Sequence, residues 1–181
     1  LWVAKKMEMK IEKYIHISRN IADIFLRNFE CTSENIMLLI KLLSTPLTPV
    51  VLLFDTELQD TTALELCQKY KSKYYVANTK KYSRWLIPVR ANQVKTILEG
   101  VMTSGVDTIF VFNLCGGAKT EDCLRNARDI KPELLIDNGI SSFTIIIDFD
   151  EHAGELCLNL IKHNMDDVIC ELKRMKNSYR A

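Results

Sequence analysis

Glycine and proline are scarce, at six and four residues in 181. A loop-rich, collagen-like or low-complexity chain would need far more of both, so those classes are excluded. An excess of charge is also missing. Lys and Arg number 24 against 23 Asp and Glu, a net of +1. That balance gives no bulk electrostatic case for double-stranded nucleic acid or a membrane surface. No apolar run approaches the ~20 residues that cross a bilayer. The six cysteines, at 31, 67, 115, 123, 157 and 170, contain no Cys-x-x-Cys pair. Zinc-ribbon and dithiol redox signatures are therefore absent, and several of the cysteines sit in apolar patterns as small hydrophobes. This usage implies a reducing, cytoplasmic compartment. No internal repeat is visible, and no cofactor motif.

What is present is a core. Hydrophobic residues make up 48% of the chain, enough for one domain. The first residues, Leu1 to Lys6, lack a starting Met and are too short and too charged for a signal peptide. They read as an open-reading-frame artefact.

The chain is organised around residues 107–120, Asp-Thr-Ile-Phe-Val-Phe-Asn-Leu-Cys-Gly-Gly-Ala-Lys-Thr. Thr108 to Phe112 reads as a strand buried on both faces. Asn113 ends it, Gly116 and Gly117 turn the chain, and Thr120-Glu121-Asp122 starts a helix expected to run to about Asp129. Glycine amides, a helix start and the Lys119 ammonium are the components of an anion site. A Walker A loop would need Gly in place of Asn113 and Ala118. A cysteine-phosphatase loop starting at Cys115 would need Arg where Glu121 stands.

Around this centre, Ile11 to Ser18 reads as a first strand, with Ser18, Arg19 and Asn20 as its polar loop. Ile21 to Phe29 and Ser33 to Leu43 carry helical spacing. Val50 to Phe54 is a buried strand ended by Asp55 and Thr56, and Asp60 caps a helix over 61–70. Tyr74 to Ala77 and Ile87 to Val89 are short strands, and Gln93 to Ser104 is a helix ended by Gly105. Leu134 to Ile136 and Phe143 to Ile147 are strand candidates, and 152–175 reads as one amphipathic helix. Alternating strands and helices predict an α/β, Rossmann-like, mostly parallel sheet with helices on both faces. Ligands of such sheets bind beyond the carboxyl ends of the strands. Ser18, Arg19, Asn20, Asp55, Thr56 and the stretch from Asn113 to Thr120 are those ends.

The turn and its place in this order resemble CARF domains, the Rossmann-like sensors of CRISPR antiviral defence. Residues 112–119 are similar to that family's Asn-x-Thr-Gly-Gly-Thr-Lys turn, with Cys115 and Ala118 standing where the family has threonine. The resemblance covers roughly residues 11–150, leaving 151–181 as a C-terminal amphipathic helix. It implies a homodimer that binds a cyclic oligoadenylate across its two-fold axis. Ser18, Arg19, Asn20, Asp55, Thr56, Asn113, Gly116, Gly117, Ala118, Lys119 and Thr120 would bind the ligand. It also implies an effector domain after the sensor in many members, here absent or removed. Some short members are ring nucleases. Such cleavage would need no metal, with Lys119 and Ser18 as the catalytic residues and a ribose 2′-hydroxyl attacking its own 3′-phosphate. The alternative is a small Rossmann-like regulatory or interaction module without nucleotide chemistry.

Three other features carry less. Asp148-Phe149-Asp150-Glu151-His152 could hold a metal, or be a strand end followed by an acidic helix start. Lys71, Lys73, Lys80, Lys81 and Arg84 interleave with Tyr82 and Trp85, as a stacking surface or a solvated basic edge. His16 reads as a packed or half-exposed histidine.

Overall fold

Eight strands form one sheet in the order β1-β2-β8-β7-β6-β3-β5-β4, and every neighbouring pair is antiparallel. The structure is a computed structural model, and it describes residues 8–44, 49–115, 117, 119, 123, 132–149 and 156–178. The strands are β1 (Lys10–Ile15), β2 (Ile21–Arg27), β3 (Val50–Glu57), β4 (Tyr75–Asn78), β5 (Tyr82–Val89), β6 (Thr108–Asn113), β7 (Phe143–Asp148) and β8 (Leu156–Ile161). The helices are α1 (Ser33–Leu43), α2 (Thr62–Lys69), α3 (Val94–Met102), α4 (Pro132–Asp137) and α5 (Met165–Ser178).

The expected mostly parallel, Rossmann-like sheet is therefore corrected to an antiparallel one. The expectation places strands joined through a helix side by side and parallel, but a helical connection fixes neither adjacency nor direction: β6 and β7, joined through α4, are antiparallel neighbours. The pairs β2 and β3, β3 and β4, and β5 and β6 are each joined through a helix and run the same way. In the sheet, an oppositely directed strand or group of strands lies between the members of each pair. The two strands of each such pair never become neighbours, so no parallel ladder forms.

Three elements also differ from the expected types. Ile21 to Arg27 is a strand because Ala22, Ile24 and Leu26 alternate inward, a period of two. Leu156, Leu158 and Leu160 do the same in β8, so the expected single helix from 151 begins only at Met165. Residues 134–136, expected as a strand, belong to α4.

The sheet has two unequal faces. Val50, Leu52 and Phe54 point to a large core completed by α1, α2, α3 and α5. Val51, Leu53 and Phe112 point to a smaller one with Leu135 of α4 and Cys123. Central β3 and β6 are buried on both faces, as their unbroken apolar runs predict. Across the larger core, Lys95 of α3 reaches Glu34 of α1 at 2.6 Å. The bond holds the Glu34 carboxyl below, and the Lys95 ammonium above, its ordinary value.

Candidate anion-binding cleft

The antiparallel order separates residues that a parallel sheet would have gathered. Asn113 at the end of β6 lies opposite Val50 at the start of β3. Asp55 and Thr56 sit toward the far end of β3, roughly 17 Å away at the usual rise per residue. Ser18, Arg19 and Asn20 form the β1–β2 turn, at the same sheet end as Asn113. Between β2 and β6 lie β8 and β7, a separation of about 14 Å. So two of the three expected loops share an end, and the third lies at the other.

Most of these residues have visible local work. Asp55 accepts both Nε and Nη2 of Arg84, at 2.7 and 2.8 Å. Thr56 Oγ1 accepts the buried Trp85 indole N–H at 3.0 Å. Arg84 and Trp85 are thus held in the fold, and no free stacking surface forms around them. Arg19 lies 3.6 Å from Asp137 of α4, and the Asn20 carbonyl accepts the Lys162 amide. Ser18 is exposed.

Asn113 is 1% exposed. Its Oδ1 accepts the Ser141 hydroxyl at 2.8 Å and the Ser142 amide at 3.1 Å, while Nδ2 reaches Ser142 Oγ and Cys115 Sγ. This amide fixes the approach from α4 into β7. Gly117 has φ +78°, the left-handed region that favours glycine, and Lys119 is exposed. Gly116, Ala118, Thr120, the expected helix to Asp129, and Asp150, Glu151 and His152 lie outside the described residues. Among those described, no three His, Cys, Asp or Glu side chains come together as a metal site.

His16 is half-exposed, and its Nε2 lies 2.6 Å from Asp23 Oδ2. Asn159 Nδ2 donates to the other Asp23 oxygen at 2.6 Å. The carboxylate thereby links β1, β2 and β8. Beside it, Asn159 Oδ1 and Thr144 Oγ1 are buried without a partner.

A cavity lies at the Asn113 end, over the larger core. It holds about 890 Å³, and its lining includes Pro49, Val50, Val89 and Arg90 at the ends of β3 and β5. Lys41 comes from the last turn of α1, Lys71 and Lys73 from the segment after α2, and Gln93 and Val94 from the start of α3. Pro49 also accepts the amide of Leu114, so the predicted turn is tied directly to the cleft wall.

Four cations, Lys41, Lys71, Lys73 and Arg90, line this cleft, and no carboxylate does among the described residues. Helices α1 and α2 end near it and contribute roughly −0.5 each, while the start of α3 contributes roughly +0.5. With the four side chains the net is roughly +3.5, so the dipoles do not cancel the cations. The start of α3 has no side-chain cap and no acidic residue in its first turn. Its leading amides can accept an anion.

Lys71 is held unusually. The Ser72 amide donates to the Cys67 carbonyl and the Lys71 amide to that of Gln68, the paired bonds that close a helix with a left-handed residue. That residue is Lys71, at φ +50°. Glycine is the favoured occupant of such a position. Sequence reading found Lys71 and Lys73 only as part of a basic edge. It missed Lys41, Arg90 and Gln93, which are scattered along the chain and meet only in space. No protein-family model, curated protein or solved structure matches the chain.

Proposed function

We propose that this protein binds an organic anion bearing a phosphate group, in the cleft between α1, α3 and the ends of β3 and β5. One observation carries the reading: four cations surround a mostly apolar cleft that has no carboxylate among its described lining residues. The whole chain is close to neutral, so this charge is local, and a local cationic cleft raises the concentration of anions at its mouth. Lys41, Lys71, Lys73 and Arg90 hold the anionic group, with the α3 amides behind them. The role is that of a binding or regulatory module. Six free thiols suit a cytoplasmic setting, and among the described residues no helix is long and apolar enough to cross a membrane.

The test is calorimetry with AMP and octyl phosphate at low salt, on wild type and on Lys71→Glu/Arg90→Glu. Binding that weakens at least tenfold in the double variant supports the reading. Equal affinity in both proteins refutes it.

A second reading keeps the cyclic oligoadenylate of antiviral signalling, bound by a homodimer at Ser18, Arg19, Asn20 and the Lys119 turn. Its support is that these two loops share one end of the sheet. The parallel sheet expected with it is absent, and Asp55 and Thr56 lie at the other end. Cleavage of cyclic tetra-adenylate in EDTA by wild type, lost in Lys119→Ala, would favour this reading over the cleft.

A further inference from the structure

We infer that the ligand of the cleft is an amphiphile whose body is an aliphatic chain and not a nucleobase. This inference rests on the anion-binding reading and extends it. The walls come from Met37 and Ile40 of α1, Val50 of β3, Pro88 and Val89 of β5, and Val94 of α3. All are aliphatic, and no aromatic ring lines the cleft among the described residues. A base is recognised by stacking on a ring and by hydrogen bonds along its edge. Among the described lining residues no ring is present, the one planar group able to stack is the Arg90 guanidinium, and the uncharged polar side chains are Gln93, Ser44 and Ser72. The only carboxamide among the described lining residues is Gln93, and its Nε2 already donates to the Tyr70 carbonyl at 3.0 Å.

Charged and aliphatic groups line the same cleft. The cations come from the last turn of α1, the segment after α2 and the strand end at Arg90, and the aliphatic groups from α1, the sheet ends and the start of α3, with Ile40 beside Lys41 and Val89 beside Arg90 in the chain. A head group with one or two negative charges meets the first set, and a flexible apolar tail meets the second. The volume, about 890 Å³, lies in the upper range for pockets that enclose a whole small molecule. It leaves room for a chain well beyond the head group. Two sources share this chemistry: a free alkyl or isoprenoid phosphate, and an anionic lipid in a bilayer.

The experiment is a homologous series of butyl, hexyl and octyl phosphate, each below its micelle-forming concentration, measured beside AMP by calorimetry. Affinity should rise roughly fourfold per added methylene, the factor that burial of one CH₂ gives. Octyl phosphate should exceed AMP by more than tenfold. Lys71→Ala should weaken every member by the same factor. Met37→Gln, at a half-exposed helix position, should weaken octyl phosphate more than butyl phosphate. A flat series, or AMP binding as tightly as octyl phosphate, overturns the aliphatic body while leaving the anion site standing. No binding by any compound overturns both. Sedimentation with vesicles of one part phosphatidylglycerol to three parts phosphatidylcholine separates the two sources. Capture by vesicles without binding of monomeric octyl phosphate makes the patch a membrane contact and overturns the enclosed-ligand inference.

Discussion

The two ends of the sheet use similar residues differently. At one end Asp55 and Arg84 form a two-bond ion pair, and Thr56 accepts the Trp85 indole. These four residues are matched one to another. At the other end, cations from α1, the segment after α2 and the end of β5 surround a cavity with no carboxylate in its described lining. Polar residues at a strand end are therefore a weak sign of function. What distinguishes the other end is charge of one sign around a mostly apolar cleft.

Substitutions can separate these roles, and the largest effect belongs to an exception. Asn113 lies at the cleft end but is buried and bonded like a residue of the opposite end. Asn113→Ala should cost about 3 kcal/mol in denaturant unfolding, because Ser141 and Ser142 lose their shared partner. If it costs nothing, the amide does not fix the start of β7. Next, Thr56→Val leaves the buried indole N–H without its acceptor and should cost about 2 kcal/mol. It should leave octyl phosphate binding unchanged. A loss of affinity in Thr56→Val would break the division between the ends.

Lys71→Gly should reverse that pattern. Glycine fits the left-handed backbone, so stability should rise by about 0.5–1 kcal/mol. Anion affinity should fall several-fold as one cation leaves the rim. A lower midpoint of unfolding would show that Lys71 is held there for stability and not for charge.

The smallest effects concern thiols. Burial pushes both Cys31 and Cys67 up to about 11. The unfolded chain releases these protons at lower pH than the folded one. Their ionisation thus leaves stability untouched below about pH 9 and erodes it as pH rises toward 11. At pH 8 a thiol reagent should label exposed Cys170 first and buried Cys67 only as the protein opens. Fast labelling of Cys67 would contradict its burial beneath α2.

Much of the framework was legible from residue order. The apolar runs at Val50 and Thr108 announced central strands, and Asp60 indeed accepts the first amide of α2, from Thr62, at 2.8 Å. Gly105 and Gly117 adopt the positive φ that turns require. Strand order was not legible, because a helical connection fixes neither direction nor neighbour: β6 and β7 are joined through α4 and pair antiparallel, while β5 and β6 are joined through α3 with β3 between them. Nor were β2 and β8. Short apolar runs such as 21–27 satisfy both periods, and only pairing with a partner decides between them. The site was half legible. The polar turns at Ser18 and Asn113 lie at the cleft's end of the sheet, and Lys71 and Lys73 stood in a visible basic cluster. Lys41, Arg90 and Gln93 could not be joined to them, since their convergence depends on the crossing of α1 and α3 over β3 and β5.

The central claim is that the cationic cleft, and not the glycine turn, is where the anion binds. The direct measurement is an amide ¹H–¹⁵N spectrum of wild type titrated with octyl phosphate below its micelle-forming concentration. The account predicts shifts concentrated at Met37 to Ser44, Val50, Lys71 to Lys73 and Val89 to Val94, with Asp55 and Thr56 still. Shifts concentrated instead at Ser18, Arg19, Asn20, Gly117 and Lys119, with the cleft unmoved, would contradict it and return the site to the turn.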